Sequence, residues 1–163
     1  MSTSKRIPPP PEEVPPIPFT PDAYKALQVE FDRLTAERKE VMIRLQTARE
    51  MGDLSENGAY IYAKFELGSL NRQLSQTRHL LKYGVVIQKT NGNLVDFGCS
   101  VTVSAKGRQT TFLIVSMHES NLAEHKLSIE SPIGSALLGK KVGGKVTVQV
   151  PNGEVTYTVI KIT

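Results

Sequence analysis

The sequence predicts an α+β fold, in which an antiparallel two-helix coiled-coil hairpin precedes an antiparallel β domain. Prolines are concentrated at the start, with eight of the ten in the first 21 residues. Apolar residues then recur in alternating steps of three and four, which is typical of paired helices. After Gly84 the apolar period shortens to two, as in half-buried strands. We therefore divide the chain into a disordered Pro-rich tail over residues 1–20, a helical hairpin over 21–82 and a β domain over 83–163.

The Pro-rich tail contains an uninterrupted run from Pro8 to Pro11. Such a segment favours extended polyproline II structure and cannot bury a core, so we expect residues 1–20 to be disordered. Binding to a proline-recognising domain is the alternative interpretation of this composition.

Two amphipathic stripes predict the helices of the hairpin. A capping hydroxyl at Thr20, followed by Pro21 in the first turn, marks the start of a helix that we expect to span residues 21–51. Both stripes have the spacing of coiled-coil seams, and Arg38 is the single polar interruption of the first. The seam residues are Tyr24, Leu27, Phe31, Leu34, Arg38, Val41, Leu45 and Ala48, then Tyr60, Ala63, Leu67, Leu70, Leu74, Thr77 and Leu81. Two seams joined by a short connection fold back on each other as an antiparallel pair.

Two carboxylates lie where the chain is expected to fold back. Pairing Ala48 with Tyr60 places the midpoint near residue 54, between Asp53 and Glu56. A first helix of roughly 46 Å, at 1.5 Å per residue, would hold these acids far from the β domain. In one interpretation they only order the turn, because an acid followed by glutamate three residues later is a variant of the capping box. In the other they complete a magnesium site supplied mainly by a partner, since proteins often bind magnesium through one or two carboxylates plus substrate phosphates.

Alternating apolar runs predict the strands of the β domain. These runs span residues 85–88, 94–103, 110–117, 126–129, 145–150 and 154–162. Asn91-Gly92 and Asn152-Gly153 predict turns, the second within a β-hairpin. Ser131-Pro132 predicts the start of one short helix. Cys99, the only cysteine, lies in an apolar run, so we expect a buried and unreactive thiol.

Two blocks of the sequence resemble a known protein family. The first, Ala48 to Tyr60 (AREMGDLSENGAY), is similar to the hairpin tip of the bacterial Gre transcript-cleavage factors. The second, Ile129 to Lys140 (IESPIGSALLGK), with Val142-Gly143 and the segment from Val150 to Glu154, is similar to the C-terminal domain of that family. The resemblance covers about residues 20–163 and implies a coiled-coil hairpin followed by an FKBP-like antiparallel β domain.

The resemblance also implies a partner and a mechanism. Gre factors act on backtracked RNA polymerase: the hairpin enters the secondary channel, and the polymerase then hydrolyses its own nascent RNA, freeing a new 3′ end. By position, Asp53 and Glu56 match the acids that help to hold a catalytic magnesium at the polymerase active site. Asn57 and Tyr60 match tip residues that position the RNA end or the reacting groups. The implied protein is not an enzyme by itself, and it shares its magnesium with the polymerase.

Further residues are candidates for contact with the polymerase or the RNA. Glu130, Ser131 and Pro132 match the β-domain loop with which the family docks on the polymerase rim. The basic side chains of Arg38, Arg44 and Arg49 are candidates for RNA contact, although a stripe of this size is more often a solvated face.

Three other functions stay open at this point. The chain could be a Gre-family inhibitor that occupies the channel without promoting cleavage, a prolyl isomerase or peptide-binding chaperone, or a plain coiled-coil interaction module. Gly58-Ala59 stands where relatives more often have alanine and then an acid, so this tip carries less negative charge. We expect a monomeric cytoplasmic protein without membrane contact, because neither a secretory signal nor a spanning segment is found. The net charge of +4 is too dispersed to predict nucleic-acid binding by itself.

Overall fold

Two long antiparallel helices, α1 (Pro21–Glu50) and α2 (Gly58–Tyr83), form a hairpin in the first half of the chain. The computed structural model describes residues 15–51, 58–89, 92–151 and 153–163. The predicted start of α1 is confirmed, because the Thr20 hydroxyl accepts a hydrogen bond from the Ala23 N–H at 3.4 Å. The predicted end at residue 51 differs by one position, since Met51 is the residue that caps α1.

The buried faces of the two helices are those predicted from the seams. The buried residues are Leu34, Val41 and Ala48 in α1, and Ala63, Leu70, Leu74 and Thr77 in α2. Thr77 is the polar member of this set, and its hydroxyl donates to the Gln73 carbonyl oxygen at 2.9 Å, so it is buried with a hydrogen-bond partner. Among the described residues, no helix combines the length and the apolar character needed to cross a bilayer.

Two short parallel strands lie at the base of the hairpin. Strand β1 (Ile17–Phe19) pairs with β2 (Gly84–Val86), so the prediction of a disordered tail is wrong for residues 17–20. The physical reason is the side chain of Phe19, which is buried at the junction although Pro18 precedes it and Pro21 follows two residues later. Gly84 permits this packing, because a Cβ atom there would lie 3.1 Å from the Phe19 ring and 2.5 Å from a backbone oxygen. Residues 1–14, which carry most of the predicted tail, lie outside the described residues.

A five-stranded sheet forms the second half of the chain, with strand order β5-β4-β3-β7-β6. Its strands are β3 (Ser100–Ala105), β4 (Arg108–Val115), β5 (Lys126–Ser128), β6 (Lys145–Val150) and β7 (Gly153–Ile162). Neighbouring strands are antiparallel, as predicted for the domain, except that β4 and β5 run parallel. The short predicted helix is confirmed as α3 (Pro132–Leu137), which packs on β5 and β6.

The core of the β domain lies between this sheet and α3. Val101, Ile114 and Leu137 are fully buried there. Cys99 is buried in the same cluster, as predicted, and burial raises the pKa of its thiol. A thiol held in its neutral form is a poor nucleophile.

Several predicted strand boundaries differ from the structure. The predicted strand over 94–103 begins only at Ser100. Before this strand, the Val95 N–H donates a hydrogen bond to the Lys140 carbonyl oxygen at 2.8 Å. The Val95 carbonyl oxygen accepts one from the Gly139 N–H at 2.8 Å, and both partners lie in the loop that follows α3. Val95, Phe97 and Cys99 are buried, so the apolar character of this run reflects a loop that packs in the core. Among the described residues, its β pairing is limited to a single bridge between Leu94 and Lys141. The predicted strand over 85–88 is shorter, and it pairs with β1 instead of joining the larger sheet.

One of the two hairpin turns of the sheet was predicted from its sequence, and the other was not. The hairpin predicted at Asn152-Gly153 is confirmed by the pairing of Val150 with Gly153, although Asn152 itself lies outside the described residues, as does Asn91. The turn between β3 and β4 was not predicted. Its two central residues, Lys106 and Gly107, have φ angles of 50° and 78°. Positive φ at both positions is typical of a type I′ turn, in which lysine is unusual.

Candidate functional site

The candidate site is the distal end of the hairpin, opposite to the β domain. Helix α1 has 30 residues and is therefore about 45 Å long, and Met51 and Gly58 flank the connection between the helices. Asp53, Glu56 and Asn57 belong to this connection and lie outside the described residues, so their roles stay predictions.

Two contacts between the helices position the residues next to the connection. The Arg49 guanidinium lies 5.8 Å from the centre of the half-buried Tyr60 ring, a cation–π distance that fixes one face of the ring. One turn further from the tip, Arg44 forms an ion pair with Glu66 at 2.8 Å. This hydrogen bond raises the pKa of Arg44.

Arg38, the polar member of the first seam, also contacts the opposite helix. Its Nε donates to the Asn71 side-chain oxygen at 2.8 Å. The three predicted RNA-contact residues, Arg38, Arg44 and Arg49, therefore each have a partner on α2. These partners lie at nearly the same sequence distance from the connection as the arginines do, so the contacts fix the register of the two helices. Contact with RNA stays a prediction for all three.

The predicted docking loop combines an internal hydrogen-bond network with an exposed surface. The Ser131 hydroxyl accepts from the Gly134 N–H at 3.0 Å and donates to the Ser128 carbonyl oxygen at 2.7 Å. Ser131 therefore caps α3 and shapes the loop. Its neighbours Glu130 and Pro132 are exposed, so they are the members of the predicted trio that another molecule can contact directly.

The junction between the hairpin and the β domain depends on a residue that sequence reasoning missed. The Glu119 carboxylate, in the short 3₁₀ turn Met117–Glu119, accepts hydrogen bonds from the Thr20 N–H at 2.9 Å and from the Thr20 hydroxyl at 2.7 Å. The rings of Phe19 and His118 stack beside it, with centroids 6.2 Å apart. Because Thr20 is the N-cap of α1, the β domain supplies a carboxylate to the positive end of the arm helix. The partners are 99 residues apart, and no local pattern signals their contact.

The described residues do not form a metal centre of their own. Within residues 15–51, 58–89, 92–151 and 153–163, no group of three or more His, Cys, Asp or Glu side chains is placed to hold a metal ion.

Family models match both halves of the chain. The model described as "Transcription elongation factor, N-terminal" (GreA/GreB) matches residues 17–86, and the model "Transcription elongation factor, GreA/GreB, C-term" matches residues 89–163. The first match begins at β1, in agreement with an ordered segment from residue 17.

Named relatives match over nearly their whole length. Transcription elongation factor GreA of Thermosipho africanus (strain TCF52B) is 36% identical over 147 residues, which is 88% of this chain and 94% of the relative. GreA of Chloroflexus aggregans (strain MD-66 / DSM 9485) is 38% identical over 149 residues, with 88% and 95% covered.

A solved structure of the GreA factor homolog 1 (Gfh1) protein of Thermus thermophilus is also similar. The two sequences are 24% identical, and the match covers 91% of this chain and 99% of that chain with a TM-score of 0.44. With both halves matched in order, the chain belongs to the GreA/GreB family of transcription elongation factors.

Proposed function

We propose that this protein binds RNA polymerase, inserts its helical hairpin into the secondary channel and stimulates the polymerase's own cleavage of backtracked nascent RNA. The observation that carries the proposal is the arm of about 45 Å, in a GreA/GreB family member, whose two helices are joined by the segment containing Asp53 and Glu56. In this proposal the protein acts in the cytoplasm and is a factor for the polymerase, not an enzyme.

The chemistry at the tip requires the partner. Carboxylate oxygens are hard donors that suit magnesium, and two of them are too few to hold the ion alone. Magnesium, when bound between Asp53, Glu56 and the polymerase, would supply charge stabilisation at the reacting phosphate and a more acidic water. The chain itself contributes the carboxylates and their orientation. In this proposal Tyr60, whose ring lies 5.8 Å from the Arg49 guanidinium, helps to position the RNA 3′ end.

The base of the arm supports the same proposal. The exposed Glu130 and Pro132 would dock the β domain on the polymerase, and the contact between Glu119 and Thr20 would fix the direction in which the arm leaves that domain. A defined direction matters because a displacement of about 1 Å at a reacting group can reduce a rate a hundredfold.

The proposal is tested by RNA cleavage in halted, backtracked elongation complexes. Asp53→Asn and Glu56→Gln each remove one negative charge at nearly constant size. We expect either substitution to slow cleavage by about a hundredfold, while affinity for the polymerase is retained. Glu40→Gln is the matched control, because Glu40 is an exposed acid on the same arm, distant from the connection, and it should leave the rate unchanged.

Two results would contradict the proposal. If the wild-type protein binds the polymerase and slows elongation without shortening the RNA, it is an inhibitor. If both tip variants cleave as fast as the wild type, the carboxylates do not take part.

A further inference from the structure

Exposed apolar side chains are concentrated in the distal half of the hairpin. Among the described residues 42–51 and 58–65, six large apolar residues are exposed, whereas in the rest of α1 and α2, which the structure describes throughout, only Val29 is comparably exposed. The six are Met42, Ile43, Met51, Ile61, Tyr62 and Phe65. Contiguous exposed apolar surface commonly marks a contact with another molecule. This part of the arm therefore has an exposed apolar surface of the kind that contacts another molecule.

Three of these side chains line one groove between the helices, which we call the distal groove. Ile43, Thr47 and Met51 follow at intervals of four residues and so share one face of α1, and Tyr62 of α2 forms the opposite wall. The exposed fractions of Ile43, Met51 and Tyr62 are 66%, 73% and 67%. The groove has a volume of about 290 Å³. This is at the lower limit of the range of about 300–1,000 Å³ that is typical of small-molecule sites, and it is large enough for an inserted side chain.

The floor of the distal groove explains why it is open. Ala48 and Ala63 are buried and line it, and their small side chains leave space between the helices that larger seam residues would fill. Arg44 is the one cation that lines the groove, and its charge is paired with Glu66 at 2.8 Å. An apolar, uncharged group therefore fits this groove better than a phosphate does.

We infer that the distal groove receives an apolar side chain from the wall of the polymerase channel. The inference rests on the proposed function. Met51 and Ala59 line the groove and stand next to the connection that carries Asp53 and Glu56. Ile43 lies only roughly 12 Å behind Met51 along the helix axis. Any channel that admits the two carboxylates to a catalytic centre must also enclose this section of the arm, so the groove faces a protein wall whenever the tip is in place.

The experiment compares binding with catalysis for the full-length chain and intact polymerase. In the double variant Ile43→Gln, Tyr62→Gln, glutamine keeps a good helix propensity and removes the apolar walls. We expect its Kd for a halted elongation complex to rise by about tenfold, with the cleavage rate at saturating factor unchanged. Circular dichroism and thermal unfolding establish that the variant is folded.

Two matched control variants test whether a change in Kd comes from the distal groove or from the loss of any exposed apolar side chain. Phe65 is equally distal and 76% exposed but does not line the groove, and Val29 is 68% exposed near the base of the arm. Phe65→Gln and Val29→Gln should each leave the Kd within about twofold of the wild type, because neither removes the walls of the groove.

Several outcomes would overturn the inference. It fails if the double variant binds as tightly as the wild type, or if Phe65→Gln weakens binding to the same extent. A lower saturated cleavage rate with an unchanged Kd would assign the groove to the RNA, and a wild-type dimer that the double variant disrupts would assign it to a second copy. A wild-type protein that binds without promoting cleavage contradicts only the proposed function, since the groove is tested by the Kd. A wild-type protein that does not bind the polymerase contradicts both.

Discussion

Replacing Glu119 with alanine should loosen the junction between the arm and the β domain. The carboxylate accepts two hydrogen bonds from Thr20, at 2.9 and 2.7 Å, and hydrogen bonds to charged groups contribute about 1.5–3 kcal/mol each. Both residues are partly exposed, so water can replace part of this energy. Taking the low end for each bond, we expect a loss of about 3 kcal/mol in the free energy of unfolding. The carboxylate's favourable position at the N-terminus of α1 is lost as well.

The measurement is urea-induced unfolding followed by far-UV circular dichroism, combined with hydrogen exchange at the Thr20 amide. Glu119→Gln retains one acceptor oxygen and should lose about half as much stability. Glu124→Ala is the matched control, because Glu124 belongs to the same segment but its carboxylate forms an exposed ion pair with the Lys126 ammonium, and the change should not be resolvable.

A double-mutant cycle decides whether the two residues act together. Thr20→Val removes the hydroxyl, and its coupling energy with Glu119→Ala should be at least about 1 kcal/mol. Additive effects, or a Glu119→Ala variant as stable as the wild type with unchanged exchange at Thr20, would refute the assignment of Glu119 as the link between the two parts.

Four further substitutions test the packing, the turn between β3 and β4, and the buried thiol. Val41→Ala should lower the free energy of unfolding by about 2 kcal/mol in urea titrations, because Val41 is fully buried in the seam. Gly134→Ala should cost about 3 kcal/mol and lower the Tm, since its β-carbon would overlap the Ser128 carbonyl oxygen. Lys106→Asn should raise stability by about 0.5–1 kcal/mol, because asparagine tolerates the φ of 50° better than lysine. Burial raises the pKa of the Cys99 thiol above that of an exposed thiol, so its contribution to stability is present below the ordinary thiol pKa and is lost as the pH rises through the raised pKa. Unfolding measured from pH 7 to 10 should show a smaller decline in the Cys99→Ala variant.

The hairpin and the short helix could be predicted because their signals are local. A seam with steps of three and four identifies the buried face from the sequence alone, and the structure buries Leu34, Val41 and Leu70 as the pattern requires. The hydroxyl of Ser131 before Pro132 likewise marks the start of α3. In each case the residues that cause the structure are neighbours along the chain.

The remaining features depend on contacts between distant segments. Strand β1 has three residues beside prolines, and its pairing with β2 is stabilised by burial of Phe19, which no periodicity reveals. The parallel pairing of β4 with β5 and the contact of Glu119 with Thr20 are equally non-local. At the site, the resemblance to the Gre factors implies that Asp53 and Glu56 help to hold a magnesium ion, and this role stays a prediction. The sequence gives no sign that Arg38, Arg44 and Arg49 would each contact a side chain of α2.

The small residues that leave the distal groove open also reduce the apolar packing between the two helices near the tip. From the middle of the arm towards the β domain the buried seam residues of α2 are Leu70, Leu74 and Thr77, whereas those nearest to the connection are Ala48 of α1 and Ala63 of α2. Less apolar area is buried between the helices at the tip, and the exposed charged contacts that remain there add little. We therefore expect the described residues on either side of the connection to open more readily than the middle of the arm, which hydrogen exchange would measure. Under the proposed function, an apolar side chain of the polymerase in the distal groove would supply the missing contact, so exchange at residues 43–51 and 59–63 should slow in the complex.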